Sequence, residues 1–172
     1  VIEKGSTGFL GIKSKPAIIK ARKKNDTVDN IREFLENVFS AMNMEVTIDI
    51  KKAEDDKVYE VELSGKEMGL LIGKRGQTLD SLQYLTNLAV NKHSDGYIKV
   101  KLDTEDYRQR RKDTLENLAK NIAYKVKRTK RPVSLEPMNP FERRVIHSAL
   151  QGDRYVETHS EGEEPFRHVV VT

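Results

Sequence analysis

Two short stretches carry residue types that can do chemistry. Residues 70–85, LLIGKRGQTLDSLQYL, set Gly73 and Gly76 around Lys74 and Arg75, with Ile72 before the first glycine and Gln77 after the second. Glycines lack a Cβ and let a main chain approach a ligand closely. A helix starting near Gln77 would aim free N–H groups and its positive dipole end at the same point. This is chemistry for holding phosphate. A Walker loop needs four residues before its Gly-Lys and a Ser or Thr after it. Here Gly69 and Gly73 enclose three residues and Arg75 follows the lysine, so that reading fails. What is left is a turn or a clamp on a sugar-phosphate strand. The second stretch, NPFERRVIHSAL at 139–150, puts Arg143 and His147 four apart on one helix face, with Arg144 beside them. Arg143 can fork onto phosphate, and His147 can hydrogen-bond or stack on a base.

No other stretch suggests catalysis. His93, His147, His159 and His168 have no metal-ligand spacing, and no His-Glu-x-x-His or nucleophile motif occurs. Asp55, Asp56, Glu163 and Glu164 sit in polar surroundings that would not tune them for acid–base work. The expectation is therefore no catalytic residue, no metal and no cofactor. The absence of cysteine excludes disulfides and thiolate metal sites and suits a reducing, cytoplasmic setting. No run approaches the ~20 apolar residues of a membrane span, so no membrane insertion is expected. The chain begins at Val1 rather than Met, which implies that sequence precedes it.

The elements around the two stretches decide between a turn and a clamp. With 172 residues, 6% aromatics and no Trp, two small cores are expected rather than one large one. Val28, Ile31, Leu35, Val38, Phe39 and Met42 have helical spacing over 27–42, with Asp26 or Thr27 as N-cap. Val46, Ile48 and Ile50, then Tyr59, Val61 and Leu63, alternate as an antiparallel strand pair with one wet face. A short helix around 66–72 and the glycine loop follow, then a helix of about four turns carrying Leu79, Leu82, Leu85 and Ala89 on one side. Ile98, Val100 and Leu102 then make a third strand. The order is α-β-β-α-α-β, with helices on one face of the sheet.

From Asp103 the composition shifts. Tyr107, Arg111, Leu115, Leu118, Ala119, Ile122 and Val126 predict a long helix to about 129, which Pro132 ends. Residues 108–131 hold ten Lys or Arg against Asp113 and Glu116, predicting a continuous basic surface that includes Lys127 and Arg128. Asn139, Pro140 and Glu142 mark a helix start with a capping box, and Phe141, Val145 and Ala149 are expected to face the core. The acidic stretch 151–165, five carboxylates with one Arg, repels a polyanion and suits a basic partner.

The loop and its element order resemble the KH family in its type II arrangement, over about residues 27–103. "IGKRG" is a working form of that family's clamp for single-stranded nucleic acid. Residues 105–172, with Arg143, His147 and "SEGEEPFRHVVV", resemble the small domain named for its Arg-x-x-x-His signature. By that resemblance Arg143 and His147 are the binding pair and Arg167 a helper. Together with "GSTGFLGIKSKPA" near the start, the order of modules resembles the Jag (SpoIIIJ-associated) family of bacterial RNA-binding proteins. Ser6 and Thr7 stand where that family's N-terminal motif has two lysines.

The expected class is α+β: the end of an N-terminal Jag module over 1–24, a type II KH domain over 25–103 and a small α/β Arg-x-x-x-His domain over 104–172. The resemblance implies non-catalytic binding of single-stranded RNA, with single-stranded DNA a further candidate. It also implies an RNA chaperone or post-transcriptional regulator linked to cell-envelope growth or sporulation. The alternative is a protein-interaction module that pairs with a small KH protein or with itself. Lys74 and Arg75 are both expected to point outward, where charge reversal costs little stability.

Overall fold

The computed structural model describes residues 26–172 apart from 93 and 95. The expected N-terminal remnant, 1–24, and His93 lie outside the described residues. The chain folds around two hydrophobic clusters, each with its own three-stranded sheet.

The first begins with helix α1 (Thr27–Ala41), capped by Asp26, whose side chain accepts from the Thr27 N–H at 2.6 Å. Ile31, Leu35 and Phe39 are buried, so the 3.6-residue period faces the sheet. Strands β1 (Val46–Lys52) and β2 (Val58–Gly65) pair antiparallel, with Ile50 opposite Val61. Helix α2 (Met68–Ile72), the glycine loop and helix α3 (Gln77–Asn91) lead to β3 (Lys99–Asp103), which runs parallel to β2. The sheet order is β1-β2-β3. On α3 the sequence expectation needs correction. The buried face is Leu79, Leu82, Thr86 and Val90, while Leu85 is exposed. Thr86 takes a core position because its hydroxyl donates to the Leu82 carbonyl at 2.8 Å and so loses no hydrogen bond on burial.

Only Thr104–Asp106 separate β3 from helix α4 (Tyr107–Thr129). Leu115, Ala119, Ala123 and Val126 are buried along it, whereas Leu118 stands at the surface. The second sheet, ordered β4-β6-β5, is built from β4 (Val133–Ser134), β5 (Thr158–Glu161) and β6 (His168–Val171). Helix α5 (Pro140–Leu150) packs against α4. Its capping box is formed as expected: Asn139 Oδ1 accepts from the Glu142 N–H at 2.8 Å. Phe141 does not enter the core, contrary to expectation. Glu142, Val145, Ile146 and Leu150 form the buried face, and Phe141 lies on the outside of the first turn.

Candidate nucleic-acid interface

The glycine loop is a tight left-handed turn. Gly73, Arg75 and Gly76 all have positive φ, at 67°, 56° and 80°. A Cβ on Gly73 would stand 2.0 Å from Thr78 Oγ1, and one on Gly76 2.7 Å from the Tyr107 ring. The missing side chains thus leave room for the protein itself, and glycine is required by the turn before any ligand is considered. Ile72 is half-buried and Gln77 is exposed as the first residue of α3. Lys74 is exposed and has no ion-pair partner among the described residues.

Arg75 does not project freely. Its guanidinium crosses to the segment before α5, where it pairs with the Glu136 carboxylate and donates to the Pro137 carbonyl. The sequence offers no local clue to this, because the partner lies 62 positions along the chain.

The free edge of β3 is closed by a ladder of amides that sequence reasoning missed. Asn87 both accepts from the Val100 N–H and donates to the Val100 carbonyl, each at 2.8 Å. Asn91 does the same at Ile98, and Gln83 accepts from the Leu102 N–H at 2.9 Å. Spacing of four on the helix meets spacing of two on the strand, so every second residue of the edge is satisfied. The signal was present as amides recurring every four residues, at 83, 87 and 91, on one helix.

Helix α4 divides into two electrostatic halves, which corrects the expected continuous basic surface. Arg108, Arg110, Arg111 and Lys112 pair with Asp80, Glu105, Glu142 and Glu116. Toward the other end, Lys120, Lys125, Arg128, Lys130 and Arg131 are exposed and without carboxylate partners among the described residues. Arg128 lies 6.0 Å from the Tyr124 ring centroid. Lys127, however, is held by Asp153 at 2.5 Å and lies 5.4 Å from the Tyr155 ring centroid. That hydrogen bond holds the Asp153 carboxyl below its usual range, with help from the Tyr155 N–H.

Arg143 and His147 share a face of α5, and both are engaged. Arg143 donates to the Met138 carbonyl at 3.2 Å and pairs with Glu164. Glu164 of the acidic stretch is therefore folded onto the domain's own arginine. His147 is fastened at both ring nitrogens, Nδ1 to Thr158 Oγ1 at 2.7 Å and Nε2 to Ser160 Oγ at 2.9 Å. Burial, then the Arg143 and His159 charges, push its pKa below 6.5. Arg144 is exposed, its Nε donating to the Pro140 carbonyl at 3.3 Å. Arg167 donates to the Gly162 and Ser160 carbonyls, bracing the acidic turn. Beneath these, buried Glu142 accepts from Arg111 Nε at 2.8 Å.

A cleft of about 510 Å³ joins the two regions. Lys74, Arg75, Glu136, Pro137, Glu164 and Phe166 line it. The arrangement can hold a polyanion along a run of cations and offers exposed rings to bases. Among the described residues no cluster of His or carboxylates could hold a metal ion, and no helix is long and apolar enough to cross a membrane.

Comparison with known proteins agrees with this architecture. Residues 29–102 match the family model for the KhpA/KhpB KH domain, and 1–23 match that for the Jag N-terminus. Residues 113–172 match the model for the domain named for the Arg-x-x-x-His signature. A Clostridium symbiosum protein named RNA-binding protein KhpB is 67% identical over 172 residues, which are all of this chain and 78% of that protein. Its Bacillus subtilis (strain 168) namesake is 40% identical over 175 residues, covering all of this chain and 83% of the relative. The Lactiplantibacillus plantarum protein of that name is 37% identical over 91% of this chain and 48% of its own length.

Proposed function

The chain belongs to the KhpB family, the Jag proteins that join a KH domain to an Arg-x-x-x-His domain, and from that premise we propose that it binds single-stranded RNA without catalysing a reaction. The observation that carries the reading is the glycine loop. Its backbone holds a left-handed turn that suits a clamp, and Lys74 is exposed there without an ion-pair partner among the described residues. The exposed cations at the end of α4 and the Arg143 region extend the contact to further phosphates. The name carried by the Clostridium symbiosum relative supports RNA as the ligand. Post-transcriptional regulation or RNA chaperoning in the cytoplasm, tied to envelope growth or sporulation, is the process that the family resemblance suggests.

Lys74→Asp is the cleanest test, because it leaves the Arg75–Glu136 contact alone. Affinity for a 15-nucleotide single-stranded RNA should fall by about tenfold or more at moderate salt, with the unfolding midpoint unchanged. Wild-type affinity in that variant would remove the clamp. A DNA strand of the same sequence, measured in parallel, separates RNA preference from general single-strand binding.

A second reading is favoured by one observation. Tyr84, Leu85 and Leu88 leave an apolar strip exposed on α3, which suits pairing with a small KH protein. Leu85→Glu with Leu88→Glu should abolish such pairing in sedimentation and leave RNA affinity unchanged.

A further inference from the structure

The cleft between the glycine loop and α5 has features that neither domain's site accounts for. Arg75 and Arg143 come from different domains, and each is singled out in the sequence as a phosphate ligand. Each is held by a carboxylate, Glu136 and Glu164, and both carboxylates line this one cleft. Phe166, which also lines it, is 73% exposed. Resting on the RNA-binding reading, we propose that this cleft is a nucleotide subsite shared by the two domains, in which Glu136 and Glu164 occupy the arginines until RNA phosphate displaces them.

A carboxylate is a good internal substitute for phosphate, since its oxygens satisfy the same guanidinium donors. The carboxylates are the exposed members of these pairs, Glu136 at 77% and Glu164 at 53%, while Arg75 and Arg143 are 27% and 12% exposed, so each carboxylate can swing into water from an arginine that stays in place. A phosphodiester that also gains Lys74, which lines the cleft, can therefore replace them. Phe166 supplies what a phosphate site alone does not need, a π-face on which a base can stack. Cations and an exposed ring lining one cleft fit a nucleotide within a strand better than a free anion. The arrangement makes binding at the domain junction a competition between RNA and the chain's own acidic groups.

The test compares Glu136→Gln/Glu164→Gln with Glu157→Gln/Glu163→Gln. The second pair removes the same charge from exposed carboxylates that have no ion-pair partner among the described residues. Affinity for the 15-nucleotide RNA is measured in the full chain. The first double variant should bind about two- to thirty-fold tighter than the second, the range expected from releasing two competing carboxylates. Phe166→Ala should weaken binding several-fold, while Phe166→Tyr should keep it. Equal affinity in the two double variants would overturn the subsite while leaving RNA binding intact. A gain from Glu136→Gln/Glu164→Gln with no effect of Phe166→Ala would reduce it to an anion site and overturn the nucleotide assignment. A wild-type chain that binds no RNA would remove the premise and the subsite together.

Discussion

The glycine loop and the Arg143 helix are candidate binding elements built in opposite ways. The loop is fixed by backbone: three positive φ angles and two positions where a Cβ would collide with Thr78 or Tyr107. The helix face is fixed by side chains, with Arg143 on Glu164, His147 on Thr158 and Ser160, and Glu142 on Arg111. Backbone-built sites announce themselves in sequence, because glycine is needed at set positions. Side-chain-built sites depend on partners brought in from elsewhere, so their chemistry changes once the chain folds. A cation that reads as free in the sequence can be neutralised in the structure.

The largest expected effect lies under the helix face. Glu142 is buried and holds the Arg111 guanidinium while closing the capping box of α5. Glu142→Ala should cost about 3 kcal/mol, because it leaves a largely buried guanidinium unpaired. Urea unfolding checks this, and a loss below about 1 kcal/mol would mean that the side-chain network is not what fixes this face. RNA affinity measured well below the unfolding transition should change far less than stability.

The loop should respond somewhat less, and through strain. Gly73 sits at φ 67° and ψ −167°, a region essentially reserved for glycine. Gly73→Ala should destabilise by about 2 kcal/mol. Adding Thr78→Ala removes the clash with Oγ1 but leaves the Cβ of residue 78 at 2.7 Å, so it should recover only part of that loss, and the dihedral strain remains. Full recovery would show that packing, and not backbone geometry, demands the glycine.

The same contrast explains how much was legible. The α-β-β-α-α-β order, the loop, and the Asn139–Glu142 capping box follow from local periodicity and local chemistry, and the structure contains them. Leu85 and Phe141 were misplaced because helical spacing gives a face only to within one residue. Thr86 and Ile146 compete for the same stripes, and the neighbouring element decides the rotation. The Arg75–Glu136 contact, the split of α4 into paired and unpaired halves, and the Arg143–Glu164 pair all link distant residues. The amide ladder was within reach, since Gln83, Asn87 and Asn91 recur every four residues. Its meaning depends on knowing that β3 lies alongside with an open edge.

The smallest effect sharpens the comparison most, because it tests whether a side-chain network changes chemistry that the sequence alone suggests. An isolated histidine beside a polyanion would add pH dependence near its ordinary value of about 6.5. Here burial, then Arg143 and His159, disfavour the imidazolium of His147, so the folded value lies below that of the unfolded chain. Glu164, the carboxylate paired with Arg143, is already committed to it. Above about pH 6.5 the ring is neutral in both states, and stability does not depend on it. As pH falls through the window between the two values, the unfolded chain takes up a proton that the folded chain refuses, and stability declines. Below the folded value the loss levels off. An NMR titration of His147 should therefore give a midpoint under 6.5 in the RNA-free chain, and His147→Ala should remove this part of the stability loss in mild acid. RNA affinity between about pH 7 and 8 should show the same dependence in wild type and in His147→Ala, since the ring carries no charge there. A midpoint at or above 6.5 would mean that the hydroxyls of Thr158 and Ser160 stabilise the imidazolium, and that the helix face carries a charge which the pair with Glu164 does not cancel.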